Sequence, residues 1–400
     1  MKIFEIGTGY TSIPAKIGAA TEIVVEELTS SLLKLGYDAT IVDIKDSKRT
    51  ATSLPITDVY MPQLFNATDT TLGLVHKLKR VLYSISLTFK LHRIIKRCND
   101  NKIVLHFHNQ YNLFFFLKLT SKALRNKVSI AYTVHSHVWF GNWNEICDTI
   151  KKRYFQEVYC VRHADHVFVL NDSAKAMMID KIGVAPDKVH KVINGVNTSV
   201  YDEQAPAPPS MASFIADNHL ANKKVIFQVG SVCDRKNQLG SLKLLLPTLK
   251  SQPNTAYMYA GGIIDAAYKQ QIDNFAAQND ITNQVIYAGE VAPGAELNAL
   301  YKASRVSIFN SKSEAFSLVI MESLSASRPI FICNGILNSL PFMKSGNENG
   351  IMPITKTFDA NLSAILNDDV KYCGEKAKAR EFITKEYSWG VAAKQYIQYF

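Results

Sequence analysis

The chain has 400 residues, of which 47% are apolar and 20% are charged, and its formal net charge is +10. This composition excludes a disordered polypeptide, and the length predicts two domains of about 150–200 residues each. No apolar run reaches the roughly 18 residues of a transmembrane helix. Glu5 interrupts the short apolar start of the chain, which argues against a signal peptide. We therefore expect a cytoplasmic protein.

Short apolar runs alternate with helical patterns along the chain, which predicts an α/β protein whose parallel sheets carry helices on both faces. The predicted strands of the first half are Ile3–Ile6, Ala39–Asp43, Ile103–Phe107, Val128–Thr133, His166–Leu170 and Lys188–Ile193. Those of the second half are Lys224–Val229, Ala256–Ala260, Val285–Ala288, Val306–Phe309 and Ser327–Ile332. A proline-rich break at residues 205–210 separates the halves, so we predict domains at residues 1–203 and 204–385.

A loop of small residues follows the first strand. Residues 13–22 include Gly18 and lead into a predicted helix at Thr21–Gly36. Small residues allow a substrate to approach a helix N-terminus closely. A tight turn without a ligand is the alternative interpretation.

The positive charge is concentrated in the first half, where residues 1–200 carry +9 of the net +10. Within the segment 76–102, seven Lys and Arg lie between Lys77 and Arg97 without an acid, among apolar residues at helical spacing. This pattern predicts a basic amphipathic helix on an anionic membrane surface. The alternative is a surface helix with one face in the core and its basic side chains in solvent. We expect no nucleic acid as partner, because no recognition motif accompanies the charge.

Three histidines and a tryptophan follow two strands of the first half. His106 and His108 end one predicted strand, while His135 and Trp139 follow the next, where an α/β sheet places its ligands. No carboxylate stands nearby at a metal-ligand spacing, so we expect no metal. For His106 and His108 a structural role is favoured. Trp139 is suited to stacking on a sugar ring or to packing in the core.

Charged residues also follow two strands of the second half. Arg235 and Lys236 come after Lys224–Val229, and two such cations can neutralise a diphosphate, although solvated surface cations are the alternative. Glu314 and Glu322 stand eight positions apart, around a short polar loop and a helix start. Such an arrangement places backbone N–H groups and a carboxylate where a nucleotide's phosphates and sugar hydroxyls could bind. Two unconnected solvated acids are the alternative.

The run from Ser313 to Ala326, Ser-Glu-Ala-Phe-Ser-Leu-Val-Ile-Met-Glu-Ser-Leu-Ser-Ala, resembles the signature of retaining glycosyltransferases of the GT-B type, particularly glycosyltransferase family 4. The resemblance covers nearly the whole chain. It implies an α/β fold of the GT-B type, with two Rossmann-like doubly wound domains facing a central cleft. It also implies that a last helix at residues 386–400 crosses back to the first domain.

The same resemblance implies site residues. Glu314 would face the donor sugar, and Glu322 would hold the ribose. The implied catalytic residues are Glu314, His135 and Lys236. The implied donor- and nucleotide-binding residues are Gly18, Arg235, Lys236, Gly261, Glu290, Phe316, Ser317, Leu318 and Glu322. The acceptor-side candidates are His106, His108 and Trp139.

The implied function is retaining transfer of a hexosyl or N-acetylhexosaminyl group from a nucleoside-diphosphate sugar, with a UDP-sugar favoured, to an acceptor hydroxyl. We expect a sugar or lipid-linked acceptor at the inner face of the plasma membrane, in surface polysaccharide or glycolipid synthesis. No cofactor and no metal at the reaction centre are expected. The alternatives are a non-catalytic GT-B partner that stabilises an active transferase and a nucleotide-sugar epimerase. The presence of Glu314, Lys236 and Glu322 favours the transferase over the partner.

Overall fold

The structure is a computed structural model that describes residues 1–14, 19–62, 74–136, 139, 148–314, 317–337 and 349–400. The chain forms two compact units, the first comprising Met1–Asn194 with Trp389–Phe400 and the second Gly195–Ser388. The division thus lies after Asn194 rather than at the predicted 203/204. The reason is that the guanidinium of Arg380 donates to the carbonyl oxygens of Thr198 and Tyr201 and ties this segment to the second unit.

The first unit contains a seven-stranded parallel sheet with the order β3-β2-β1-β4-β5-β6-β7. Its strands are β1 Lys2–Ile6, β2 Asp38–Ile44, β3 Ile56–Val59, β4 Ile103–Phe107, β5 Ser129–Thr133, β6 His166–Val169 and β7 Val189–Lys191. The direction of winding reverses between β1 and β4. At such a reversal the loops after neighbouring strands part, and an α/β sheet forms a crevice for ligands there.

The helices of the first unit are α1 Ala20–Lys34, α2 Leu74–Arg97, α3 Gln110–Leu119, α4 Lys122–Arg125, α5 Asp148–Arg153, α6 Phe155–His163, α7 Asp172–Ala176 and, near the end of the chain, α16 Trp389–Ile397. A π-helical turn at Met177–Lys181 continues α7. Helices α1 and α16 pack together. Every residue of β4 is buried, as expected for a strand covered by helices on both faces.

The second unit contains a six-stranded parallel sheet with the order β10-β9-β8-β11-β12-β13, and its winding reverses between β8 and β11. Its strands are β8 Lys224–Val229, β9 Thr255–Ala260, β10 Val285–Tyr287, β11 Val306–Phe309, β12 Ile330–Cys333 and β13 Ile351–Ile354. Its helices are α8 Pro209–Asp217, α9 Gln238–Ser251, α10 Ala266–Gln278, α11 Ala295–Ala303, α12 Leu318–Ser325, α13 Asn334–Leu337, α14 Phe358–Asn367 and α15 Asp369–Glu386.

The sequence patterns missed two strands, β3 and β13, and both lie at a sheet edge. Edge strands are half exposed, so they lack the continuous apolar run that marks a central parallel strand. Three of the four residues in each are not fully buried. Strand β13 also contains Pro353, which cannot donate to a neighbouring strand and is tolerated at an edge.

Candidate functional site

The second unit brings a basic pair and a carboxylate together where its sheet reverses direction. Arg235 and Lys236 lie in a 3-10 turn, Asp234–Lys236, in the loop after β8. Glu314 lies in the loop after β11, the neighbouring strand. Because the two strands are parallel, both end at the carboxyl-terminal side of the sheet, and the loops that follow them are neighbours. The sequence predicted these residues as separate motifs, and the strand order makes them one site.

Both cations converge on a single oxygen of Glu314. Nζ of Lys236 lies 2.5 Å from Oε1 of Glu314, and Nη1 of Arg235 lies 2.8 Å from the same atom. Arg235 also donates to the carbonyl oxygen of Ser313 at 3.1 Å. The side chains of Lys236 and Glu314 are only 13% and 11% exposed, so their interaction is weakly screened by water. The cluster carries one more positive than negative charge and is suited to an anion.

Two glycines allow this arrangement. Gly230 follows β8 with φ +148°, and a Cβ there would lie 3.1 Å from Cδ of Lys236. Gly261 follows β9 with φ +145°, and a Cβ there would lie 2.3 Å from the carbonyl oxygen of Gly230. A side chain at Gly261 would push apart the loops after β8 and β9, whereas one at Gly230 would displace the side chain of Lys236. The predicted residue Gly261 therefore has a close-packing reason of its own.

Glu290, a predicted nucleotide-binding residue, is exposed in the loop after β10. A Cβ at Gly262 would lie 2.9 Å from its Oε1, so its carboxylate lies beside the loop that follows β9. The ring hydroxyl of Tyr287 donates to the carbonyl oxygen of Gly261 at 2.8 Å and joins the end of β10 to the loop after β9. Glu290 therefore lies at the carboxyl-terminal side of the sheet, the side that carries the basic pair.

Glu322 is separate from the basic pair in its contacts. It lies on α12 and is buried, 6% exposed. The hydroxyl of Tyr301 lies 3.4 Å from its Oε2, and Tyr201 also hydrogen bonds to it. Burial raises the pKa of Glu322 to about 7, although the bonds from Tyr201 and Tyr301 act in the opposite direction.

The remaining predicted residues of this segment lie at the start of α12. Ser317 is the N-cap residue, is buried, and makes no side-chain capping bond, while Leu318 begins the helix. The first N–H groups of α12 are therefore not capped by that side chain, and they carry the positive end of the helix dipole. The predicted residues Phe316 and Gly18 lie outside the described ranges.

In the first unit, a buried carboxylate joins the predicted histidines. Glu5 of β1 lies next to His106 of β4, its partner in the sheet register. Nδ1 of His106 lies 2.9 Å from Oε2 of Glu5, and Nε2 of His108 lies 2.8 Å from the same oxygen. Nδ1 of His108 lies 3.0 Å from Nε2 of His135. The premise that no carboxylate stands near these histidines was wrong, because the residue comes from a distant strand.

Glu5 was missed as a site residue. It was noted only as an interruption of the first apolar run. An acid within an otherwise apolar central strand is itself the signal, since both faces of such a strand are covered and the charge must find partners. A carboxylate oxygen of Glu5 and one ring nitrogen each of His106 and His108 lie within 4.8 Å of one another, a spacing that could hold a metal ion. Each of these atoms is hydrogen bonded within the cluster.

Burial argues against the acceptor-side role for three residues and agrees with the structural role favoured for His106 and His108. His106 is 0% and His108 4% exposed, and both ring nitrogens of each are hydrogen bonded inside the protein. Trp139 is also fully buried, and its Nε1 donates to Oε2 of Glu157 at 2.7 Å. Its ring therefore packs in the core and offers no face to a sugar. His135 remains partly exposed.

Helix α2 agrees only in part with the predicted membrane helix. Lys79 is buried at 1% exposure, and its Nζ lies 3.4 Å from the carbonyl oxygen of Tyr10. The guanidinium of Arg80 lies 4.5 Å from the centre of the Tyr111 ring. Lys79 therefore belongs to the protein interior, and Arg80 packs half-buried against an aromatic ring. None of the helices within the described ranges combines the length and apolar character needed to cross a bilayer.

The other face of α2 is both apolar and basic. Val75, Leu78 and Phe89 are 58%, 52% and 56% exposed, although side chains of this kind are usually buried. Lys77, Arg93, Lys96 and Arg97 are exposed on the same helix. Tyr60, 67% exposed, lies beside it, since Oγ of Ser86 donates to its carbonyl oxygen at 2.8 Å. This combination is typical of a surface that meets a partner.

Comparisons with known proteins agree with this architecture. Residues 21–200 match the family described as Glycosyltransferase Family 4, and residues 212–380 match Glycosyl transferases group 1. Among characterised proteins, the alpha-maltose-1-phosphate synthase of Mycolicibacterium smegmatis is 21% identical over 228 residues. That match covers 53% of this chain and 56% of the synthase, so it spans about half the length of this relative.

Solved structures resemble the whole chain. Anabaena HepE in complex with UDP and glucose has a TM-score of 0.70 at 14% identity, and sucrose-phosphate synthase from Thermosynechococcus elongatus has 0.72 at 17%. The catalytic domain of Arabidopsis thaliana starch synthase IV, bound to ADP and acarbose, has 0.74 at 13%. Each match covers 100% of this chain and 98% of the other. At such identities the likeness concerns the fold, and it confirms the predicted GT-B type. The two family matches, which together span residues 21–200 and 212–380, show that the chain belongs to the GT4-like glycosyltransferases, a family of enzymes that transfer sugars.

Proposed function

We propose that the protein transfers a sugar from a nucleoside-diphosphate sugar to an acceptor hydroxyl with retention of the anomeric configuration. The observation that carries the proposal is the convergence of Arg235 and Lys236 on Glu314 at the reversal point of the six-stranded sheet. A UDP-sugar is the favoured donor. Structures of Anabaena HepE contain UDP, or UDP-glucose, which supports this choice, whereas starch synthase IV was bound to ADP.

In this proposal the diphosphate binds to the two cations and the start of α12. Arg235 offers a planar pair of donors and Lys236 a compact charge, and the N–H groups after Ser317 add the end of a helix dipole. Gly261 and Glu290 border the nucleotide, while Glu322 accepts hydrogen bonds from the ribose. Since Oε1 of Glu314 is occupied by both cations, its Oε2 accepts from a hydroxyl of the donor sugar.

The chemical step breaks the bond between C1 of the sugar and the phosphate oxygen and forms a bond from the acceptor oxygen to C1 on the same face. The acceptor's proton passes to the departing phosphate oxygen. Negative charge develops on the diphosphate, and Arg235 and Lys236 are already in place to stabilise it. Glu314 is held between two cations and acts by positioning the sugar. The proposed reaction uses neither a cofactor nor a metal at its centre, because side-chain cations stabilise the leaving group.

The test is a panel of UDP-, GDP- and ADP-sugars, with nucleoside diphosphate release and the product's anomeric configuration measured by NMR. We expect release with one base, and a product of the donor's configuration. Inversion would refute the retaining mechanism. Conversion of the donor sugar without nucleotide release would identify an epimerase. Binding without turnover against a broad acceptor panel would favour a non-catalytic partner.

We further propose that the acceptor is a sugar or lipid-linked sugar at the cytoplasmic face of the plasma membrane, in surface polysaccharide or glycolipid synthesis. The support is the exposed face of α2, where Leu78 and Phe89 stand among Arg93 and Lys96. Apolar side chains can enter the headgroup region, while each cation near anionic lipid contributes about 1 kcal/mol.

Vesicle flotation tests this surface. We expect binding to vesicles with anionic lipid, little binding to neutral vesicles, and release at high salt. Replacing Leu78 and Phe89 by Ser should reduce binding several-fold. Val370→Ser is the matched control, because Val370 is 85% exposed on α15 of the second unit. Equal binding by the α2 variant and the control would exclude this face and favour a soluble acceptor.

A further inference from the structure

Hydrogen bonds connect Glu5 to His135 through His108, and the donor of each bond can be assigned. An ionised carboxylate only accepts hydrogen bonds, so the ring nitrogen that faces it must carry a proton. Nε2 of His108 lies 2.8 Å from Oε2 of Glu5 and is therefore the protonated nitrogen of that ring. A neutral imidazole carries one proton, which leaves Nδ1 of His108 as an acceptor.

His135 completes the chain of bonds. Its Nε2 lies 3.0 Å from Nδ1 of His108, so Nε2 carries the proton and donates it to that hydrogen bond. Nδ1 of His135 is then unprotonated, and no described residue hydrogen bonds to it. Because His135 is partly exposed whereas Glu5 and His108 are buried, it is the member of the chain that a substrate can reach.

The charge states agree with this geometry. Burial alone would raise the pKa of Glu5, but the electrostatic effect of the neighbouring His106 and the hydrogen bonds from His106 and His108 outweigh it and lower that pKa to about 2. Burial, followed by the effect of His106, lowers the pKa of His108 to about 4. Burial and the neighbouring His108 hold the pKa of His135 well below its usual range. At neutral pH the carboxylate is therefore ionised, and His108 and His135 are neutral.

A second series of hydrogen bonds runs from Glu5 through His106 to Thr133. Nε2 of His106 lies 2.7 Å from Oγ1 of Thr133, and the hydroxyl of Tyr396 on α16 lies 3.3 Å from that oxygen. This series shares Glu5 but does not include His135. It provides a control, because its hydroxyls can be removed without touching the His108–His135 bond.

We propose that Glu5 and His108 are positioning residues that hold His135 in the Nε2–H form, so that its Nδ1 accepts a hydrogen bond from a hydroxyl of the bound sugar. The inference rests on the proposed function for the identity of the ligand, but not for the tautomer. A His135 held in this form cannot donate from Nδ1 to a phosphate oxygen, and so selects a hydroxyl at this position.

NMR of the free protein, labelled with ¹⁵N in histidine and treated with EDTA, tests the tautomer without substrate. His135→Asn identifies the signals of His135. In the wild type at pH 7 we expect a proton on Nε2 and none on Nδ1. A proton on Nδ1, or a charged ring, would overturn the proposal. If ZnCl₂ is added after the EDTA is removed, a stable Zn²⁺ complex that displaces the protons of His106 and His108 would also overturn the proposal.

Variants test the positioning role. Glu5→Gln can donate to Nε2 of His108 and reverse the chain, and His108→Phe removes the partner of His135 while keeping a buried ring. We expect a mixed or inverted His135 tautomer in whichever of the two folds, and an unchanged tautomer in Tyr396→Phe. A wild-type tautomer in a folded His108→Phe protein would refute the role of His108.

Kinetics separate this inference from the proposed function. Turnover in Glu5→Gln should fall about 10- to 100-fold, by analogy with the loss of partners that orient metal-bound histidines. Affinity for free UDP, which the second unit binds in our proposal, should be unchanged. A wild-type protein with the expected tautomer but no transferase activity would refute the proposed function and leave the tautomer assignment intact. Full turnover in a variant with an altered tautomer would refute the role assigned to His135.

Discussion

Lys236→Met tests the basic pair most directly, because it removes one charge while keeping an unbranched side chain of similar length. Nζ of Lys236 and Nη1 of Arg235 share Oε1 of Glu314, at 2.5 and 2.8 Å. The substitution lowers the net charge of the cluster from +1 to zero and leaves Arg235 committed to Glu314. A charge-assisted hydrogen bond contributes about 1.5–3 kcal/mol. We therefore expect UDP to bind about 10- to 150-fold more weakly, as measured by calorimetry at fixed ionic strength.

Lys312→Met is the matched control. Lys312 stands just before Glu314 in the sequence and pairs with Asp234 at 2.6 Å, but its side chain is 52% exposed. The same change of charge there should alter UDP affinity by no more than about 0.5 kcal/mol. Circular dichroism and thermal unfolding establish that both variants are folded. If both variants lose the same affinity, the effect comes from long-range charge alone. If a folded Lys236→Met protein binds UDP normally, the diphosphate does not lie at this pair.

Three further predictions concern buried or paired groups. Glu314→Gln should lower turnover about 100-fold in a nucleotide-release assay without weakening UDP binding, because the cluster becomes more positive; weaker UDP binding would contradict it. The pKa of Glu322 rises on folding from 4.5 to about 7, so ionisation costs the folded state about 3 kcal/mol. Relative to Glu322→Gln, the wild type should therefore lose unfolding free energy as pH rises from about 4.5 to 7, and parallel pH curves would refute this. Trp139→Phe removes the donor to Glu157 and should cost about 1–3 kcal/mol in denaturant unfolding, with kcat/KM unchanged; a selective loss of activity would restore Trp139 as a sugar contact.

The central strands could be predicted because their local pattern is strong. Strands β1, β4, β8 and β11 lie inside their sheets and consist of short apolar runs, which any covered parallel strand requires. Strands β3 and β13 pair on one side only. With half-exposed residues, their sequences resemble loops. Prediction failed where the environment, rather than the backbone preference, makes the strand.

The donor-side residues could be predicted one motif at a time. Arg235 and Lys236 after one strand, and Glu314 after another, each suit a phosphate or sugar by residue type. Their meeting depends on β8 lying beside β11, although Lys236 and Glu314 are 78 positions apart. Glu322, predicted together with Glu314, bonds instead to Tyr301 and Tyr201.

By itself, the sequence determined the alternation of strands and helices, the family signature and the loops that carry charged residues. These depend on backbone preferences and side-chain periodicity over a few neighbouring positions. The tertiary structure decided which polar groups lose water and which partners they gain. Glu5 meets His106 from 101 positions away, Trp139 turns inward to Glu157, and Lys79 is buried although it stands in a basic run. Such outcomes depend on strand order and helix packing, because the cost of burying a charge is set by the groups that surround it in space.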